Sequence, residues 1–154
     1  MTHLCCKVLK TLEGKTLSTA ESCTGGLIGA ALTAVPGASA VYKGGIISYW
    51  SEVKESLLHV PKAYLEMLGP VSAEVAVAMA SGVREQLHTD VSVSVTGLAG
   101  PDGDSFGHPV GTVFIGFSDG TQSFAREYHF SGDRNSVREQ AAAEALRLIL
   151  EICE

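Results

Sequence analysis

The reading of one stretch, TLSTAESCTGGLIGAALTAVPG at residues 16–37, decides the fold. Thr16 to Ala20 reads as a strand, and Thr24 to Val35 reads as a helix closed by Pro36-Gly37. Between them, Gly25 and Gly26 let the chain turn tightly from strand to helix. A strand that passes directly into a helix is the repeating step of a parallel α/β sheet.

Working outward, residues 3–13 read as a helix stopped by Gly14. Downstream, Gly45 to Tyr49 reads as a buried strand, and Glu52 to His59 and Pro61 to Leu68 as two short helices. Ser72 has the character of an N-cap. After it, Val75, Met79, Val83 and Leu87 form one apolar stripe of a longer helix. Asp90 to Thr96 alternates as a strand, and the Gly, Pro and Asp content of residues 97–109 predicts a loop. Thr112 to Phe117 reads as a strand, Asp119-Gly120 as a hairpin turn, and residues 124–130 as a half-exposed strand. A final helix runs from about Asp133 to Ile152.

This order predicts an α/β fold. It is a three-layer α/β/α sandwich with a mixed, mostly parallel five-stranded sheet, in which strand four is antiparallel. The 154 residues suit a single domain over residues 1–154. The net charge of −6 offers no basic excess for nucleic-acid phosphates, and no run of apolar residues is long enough to span a bilayer. The N-terminal segment is too interrupted by Lys and Glu for a signal peptide. Cys5, Cys6, Cys23 and Cys153 follow neither a zinc nor a disulfide spacing, and Cys5, Cys6 and Cys153 read as buried fillers. The expectation is a cytoplasmic chain with no metal, no cofactor, no membrane contact and no direct nucleic-acid contact.

Ligands of open parallel sheets gather at the carboxyl edge of the strands. Four segments fall there: Glu21–Gly26, Tyr49–Lys54, Thr96–Gly103 and Ser131–Arg138. In the first, Ser22 stands where a nucleophile can sit, although Ser22 or Thr24 could equally cap the helix. Cys23 is a rival nucleophile, but the next side chain in a turn usually points elsewhere. The helix N-terminus beside it suits an oxyanion or a phosphate. In the second, Lys54 can act as a base only when neutral; with a free pKa of about 10.4, about one lysine in 2,500 is neutral at pH 7. Otherwise it is an exposed helix lysine. In the third, Thr96 offers a hydroxyl, Gly97 and Gly100 allow close backbone approach, and Asp102 reads as a metal ligand or a turn residue. In the fourth, Arg134 and Arg138 share a helix face near its N-terminus, where an anionic ligand would account for them; the other reading is a solvated pair.

The motifs TAESCTGG, GPVS (Gly69 to Ser72), TGLAGPDG, PVGTV and FSGDR occur together in this order. In that set the chain resembles the CinA C-terminal domain family, which includes nicotinamide mononucleotide deamidases, over about Leu17 to Leu150. The resemblance implies a metal-free amidohydrolase that converts nicotinamide mononucleotide to nicotinate mononucleotide and ammonia. It implies Ser22 as nucleophile and Lys54 as base, with Tyr49 and Thr96 in the active site. Glu21, Cys23, Thr24, Gly25, Gly26, Gly97, Gly100, Arg134 and Arg138 are expected to order the site or bind substrate, with Arg134 or Arg138 on the phosphate. The family pattern Tyr-Ser-Asn is here Tyr49-Trp50-Ser51, a change expected to reshape the pocket. Family members are commonly oligomers, so a homo-oligomer is expected. Some carry an N-terminal molybdopterin-binding-like domain with pyrophosphatase activity, which these residues do not include. Two alternatives are a nucleotide-binding module that has lost its chemistry, and a competence-linked interaction module.

Overall fold

A computed structural model describes all of residues 1–154. The elements are α1 (Thr2–Thr11), β1 (Leu17–Glu21), α2 (Leu27–Thr33), β2 (Tyr42–Ile47), α3 (Ser51–Leu58), α4 (Lys62–Leu68), α5 (Ala73–Leu87), β3 (Val91–Gly97), β4 (Thr112–Ser118), β5 (Ser123–His129) and α6 (Arg134–Cys153), with one 3-10 turn at Ala38–Ala40. The five strands form one sheet in the order β2-β1-β3-β4-β5. β1 runs parallel to β2 and β3, while β4 is antiparallel to both β3 and β5. The carboxyl ends of β1, β2, β3 and β5 therefore share one edge. Strand order reverses about β1, because the chain steps outward to β2 and then crosses back to β3.

Helices α1, α2 and α6 pack together on one face of the sheet, and α5 crosses the other, flanked by α3 and α4. The sequence VSVSV at residues 91–95 shows how both faces are covered. Val91, Val93 and Val95 enter the large apolar core on the α6 side. Ser92 and Ser94 are also fully buried, and their hydroxyls donate to the carbonyls of Ala80 and Ala76 in α5, each at 2.6 Å. A buried hydroxyl with a good acceptor avoids the desolvation penalty of an unpaired one, so small polar residues bring α5 close to the sheet. The last two helices start at side-chain caps: Ser72 Oγ accepts from Val75 N and Asp133 Oδ1 from Ser136 N. No helix is long and apolar enough to cross a membrane.

Three expectations need correction. β2 is not a buried strand over Gly45–Tyr49: it spans Tyr42–Ile47 at the sheet edge, with alternate residues exposed. α2 begins at Leu27 rather than Thr24, because Gly25 and Gly26 both adopt left-handed backbone at φ 59° and 106°. Cys6 is exposed and Cys153 only half-buried. Cys5, Val8 and Leu9 form the buried side of α1, and Cys6 falls outside it.

Candidate active site

A cleft of about 280 Å³ opens at the carboxyl edge of β1 and β3, where strand order reverses. Its walls come from every expected segment: Ser22 and Cys23 after β1, Tyr49 and Lys54 after β2, Thr96, Gly97 and Gly100 after β3, and Arg134 at the start of α6. Pro70, Val71, Ser51, Leu98, Ala99 and Asp102 also line it. A larger groove of about 550 Å³ runs between α3, α4 and α5, past Leu58, Tyr64 and Val77, and contains none of the expected residues.

Lys54 and Leu58 are the buried residues of α3, so the lysine occupies a core-facing position on a short helix. Only 1% of Lys54 is exposed. Its Nζ lies 2.7 Å from Ser22 Oγ and donates to Ser48 O at 2.6 Å and to Tyr49 O at 3.3 Å. None of the ion pairs in the structure involves Lys54. Burial without a carboxylate partner lowers its pKa to about 8. A neutral amine has two N–H donors and one lone pair. With both N–H groups of a neutral amine taken by the two carbonyls, the lone pair is left for Ser22 Oγ, an arrangement that can accept a hydroxyl proton.

The carbonyls that do this follow from the early end of β2. The strand stops at Ile47, so Ser48 O and Tyr49 O leave the ladder and face Lys54. No residue-type signal in the sequence marks this arrangement. Cys23, beside Ser22, is 5% exposed, and burial pushes its thiol up to about 11. It stays protonated at neutral pH, a state in which a thiol is a poor nucleophile.

The 22–26 turn is fastened from two sides. Glu21 is buried; its Oε1 accepts from the amides of Gly26 and Ile28, and its Oε2 from the amide of Gly29 and the hydroxyl of Thr19. The carboxylate thus occupies the helix N-terminus that the sequence offers to an oxyanion or phosphate. Glu21 and Gly26 face a separate groove beside Tyr42 rather than the cleft. From the other side, Arg138 Nε donates to Cys23 O at 2.9 Å and its Nη2 to Thr24 O at 3.2 Å. Arg138, Thr24 and Gly25 therefore stand behind the cleft, outside its lining. Gly25 N is itself bonded to Ser22 O at 3.1 Å, whereas the amides of Cys23 and Thr24 have no acceptor in the protein.

The two α6 arginines divide accordingly. Arg134 reaches the cleft, where it donates to Gly100 O and, at 3.0 Å, to the hydroxyl of Tyr49. Thr96 is 1% exposed and donates to Pro70 O at 2.7 Å, so it ties the GPVS segment to the cleft floor. Asp102 lies in the wall, and no group of three or more His, Cys, Asp or Glu is placed to hold a metal ion. Of the changed pair, Ser51 faces the cleft, while Trp50 is 69% exposed and lies outside the lining. Ser51, not the indole of Trp50, therefore shapes the cleft wall.

Residues 2–153 match the CinA C-terminal domain. The chain belongs to the CinA C-terminal domain family. A CinA-like protein of Geobacter metallireducens is 48% identical over 133 residues, covering 86% of this chain and 32% of that relative. A CinA-like protein of Parasynechococcus marenigrum is 49% identical over 136 residues, covering 87% and 32% respectively. This chain spans about a third of the length of these relatives. Among solved structures, a competence-damaged protein (CinA) superfamily protein of Escherichia coli superimposes with a TM-score of 0.96 at 34% identity, covering 98% of this chain and 89% of that one. A competence/damage inducible protein of Agrobacterium tumefaciens gives 0.95 at 32% identity, covering 99% and 95%. The CinA fold thus accounts for the whole chain.

Proposed function

We propose that this CinA domain is a serine/lysine amidohydrolase that cleaves the carboxamide of nicotinamide mononucleotide. The observation that carries the proposal is the 2.7 Å approach of Ser22 Oγ to a buried lysine amine with no carboxylate partner. Such an amine can be uncharged near neutral pH, which a serine needs in its base.

Lys54 takes the Ser22 proton as Oγ bonds to the amide carbon. The oxyanion receives a hydrogen bond from the amide of Cys23, a residue that lines the cleft and whose N–H has no backbone acceptor. Lys54 then returns the proton to the departing nitrogen, the C–N bond breaks and ammonia leaves. Water, deprotonated by Lys54, attacks the Ser22 ester, releasing nicotinate mononucleotide and restoring the serine. Arg134 supplies the cation for the 5′-phosphate at the cleft mouth. The cleft is at the small end of ligand pockets, so it suits the pyridine carboxamide with the phosphate near the surface.

Ammonia release from nicotinamide mononucleotide tests the reading. Turnover by the wild-type chain, with a loss of at least about 10³-fold in Ser22→Ala, is expected. Absence of turnover in the folded wild type removes this substrate.

A further inference from the structure

The chain has five aspartates, and four of them accept from backbone amides. Asp90 accepts from Thr16 N, Asp104 from Phe106 N and His108 N, Asp119 from Thr121 N and Gln122 N, and Asp133 from Ser136 N. That is the ordinary work of aspartate in turns and caps. Asp102 is the exception. It shares the loop between β3 and β4 with Asp104, yet its carboxylate accepts no hydrogen bond from the protein and joins no ion pair. A turn role therefore does not account for it. It is also the only acidic residue that lines the active-site cleft.

The neighbouring cation does not account for it either. Arg134 donates to Gly100 O, two residues before Asp102, and to the hydroxyl of Tyr49. Guanidinium and carboxylate thus stand in one small cleft without pairing. A carboxylate only accepts, through two adjacent oxygens. Its matching ligand group presents two neighbouring hydroxyl donors, as the cis-diol of a ribose does. A ligand cation is the other match. Asp102 is exposed, however, and opposite charges attract weakly in water-like surroundings, whereas paired hydrogen bonds to a charged acceptor stay directional and selective.

We infer that Asp102 is a specificity-determining residue that accepts hydrogen bonds from the 2′- and 3′-hydroxyls of the substrate's ribose. The inference rests on the reading of the cleft as a nucleotide-amide site and adds which sugar that site takes. The ligand is then divided among three stations: the carboxamide at Ser22 and Lys54, the phosphate at Arg134, and the sugar at Asp102. A carboxylate beside an anion site repels a phosphate, and the diol contact offsets that repulsion. A nucleotide without the diol meets the repulsion alone, so the same residue favours one sugar and disfavours the other.

The test places Asp102→Ala and Asp102→Asn in the Ser22→Ala chain, which is used so that the ligand is not turned over, and checks each unfolding midpoint. Titration calorimetry gives Kd for nicotinamide mononucleotide and for its 2′,3′-dideoxy analogue. The parent should prefer the ribonucleotide by at least about tenfold. Asp102→Ala should narrow the preference to within about twofold by weakening the ribonucleotide and not the analogue, with Asp102→Asn between the two. A parent with no preference overturns the inference, as does a preference kept in Asp102→Ala. Equal losses for both ligands overturn it too, because they assign Asp102 to the pyridinium charge. If Asp102→Ala does not fold, Asp102→Asn decides by the same criteria. Ammonia release by the Ser22 chain separates the two readings: no turnover with a diol preference removes the amidohydrolase and keeps the role of Asp102, while turnover without the preference does the reverse. Failure of nicotinamide mononucleotide to bind removes both.

Discussion

In the proposed mechanism the charge state of Lys54 couples activity to stability. Its pKa is lowered from 10.5 to about 8 by burial. The active, neutral fraction is then about 1% at pH 6, about 10% at pH 7 and about 90% at pH 9. kcat/KM should rise about tenfold per pH unit below 8 and level off above it. The same shift fixes the sign of a stability effect. Between pH 8 and 10.5 the unfolded lysine holds its proton while the folded one does not, so stability rises with pH across that window. A shift of 2.5 units, the difference between 10.5 and about 8, corresponds to about 3 kcal/mol. Below pH 8 the folded protein carries the whole of that cost. Lys54→Met removes the titrating group, so the stability difference, wild type minus variant, should become more favourable to the wild type by about 3 kcal/mol from pH 7 to pH 10.5. Taking the difference cancels the thiol and phenol groups that titrate in both chains. Urea unfolding of both proteins at several pH values measures it, alongside ammonia release. A flat difference, or a rate that is independent of pH between 6 and 8, would refute the account of a buried, unpaired amine.

Two further changes separate binding from architecture. Arg134→Met should raise KM for nicotinamide mononucleotide about 10- to 100-fold, as expected for loss of a charge-assisted contact, and leave the affinity for the phosphate-free nucleoside unaltered; equal losses for both ligands would deny it the phosphate. Glu21→Gln weakens the acceptor that holds the amides of Gly26, Ile28 and Gly29. It should cost about 1–3 kcal/mol in chemical denaturation, with wild-type stability counting against a role for Glu21 in fastening the turn.

The sequence by itself determined the succession of strands and helices, because alternation, glycine turns and caps are local properties of the chain. It also marked Ser22, Lys54, Tyr49, Thr96 and Arg134, whose motifs follow strand ends that must share an edge once the strands are parallel. Tertiary structure decided how those residues are used. Glu21 and Arg138 belong to the same motifs as Ser22 and Arg134, yet one carboxylate fills the helix N-terminus and one guanidinium holds two carbonyls. Trp50 adjoins Tyr49 in sequence and stands outside the cleft that Tyr49 lines. The acceptors that orient Lys54 are backbone carbonyls, freed where β2 ends at Ile47 rather than at Tyr49. Motif and periodicity fix which residues arrive at the edge. The direction in which each side chain points, and which polar groups of the backbone remain open to it, depend on packing between elements far apart in the chain.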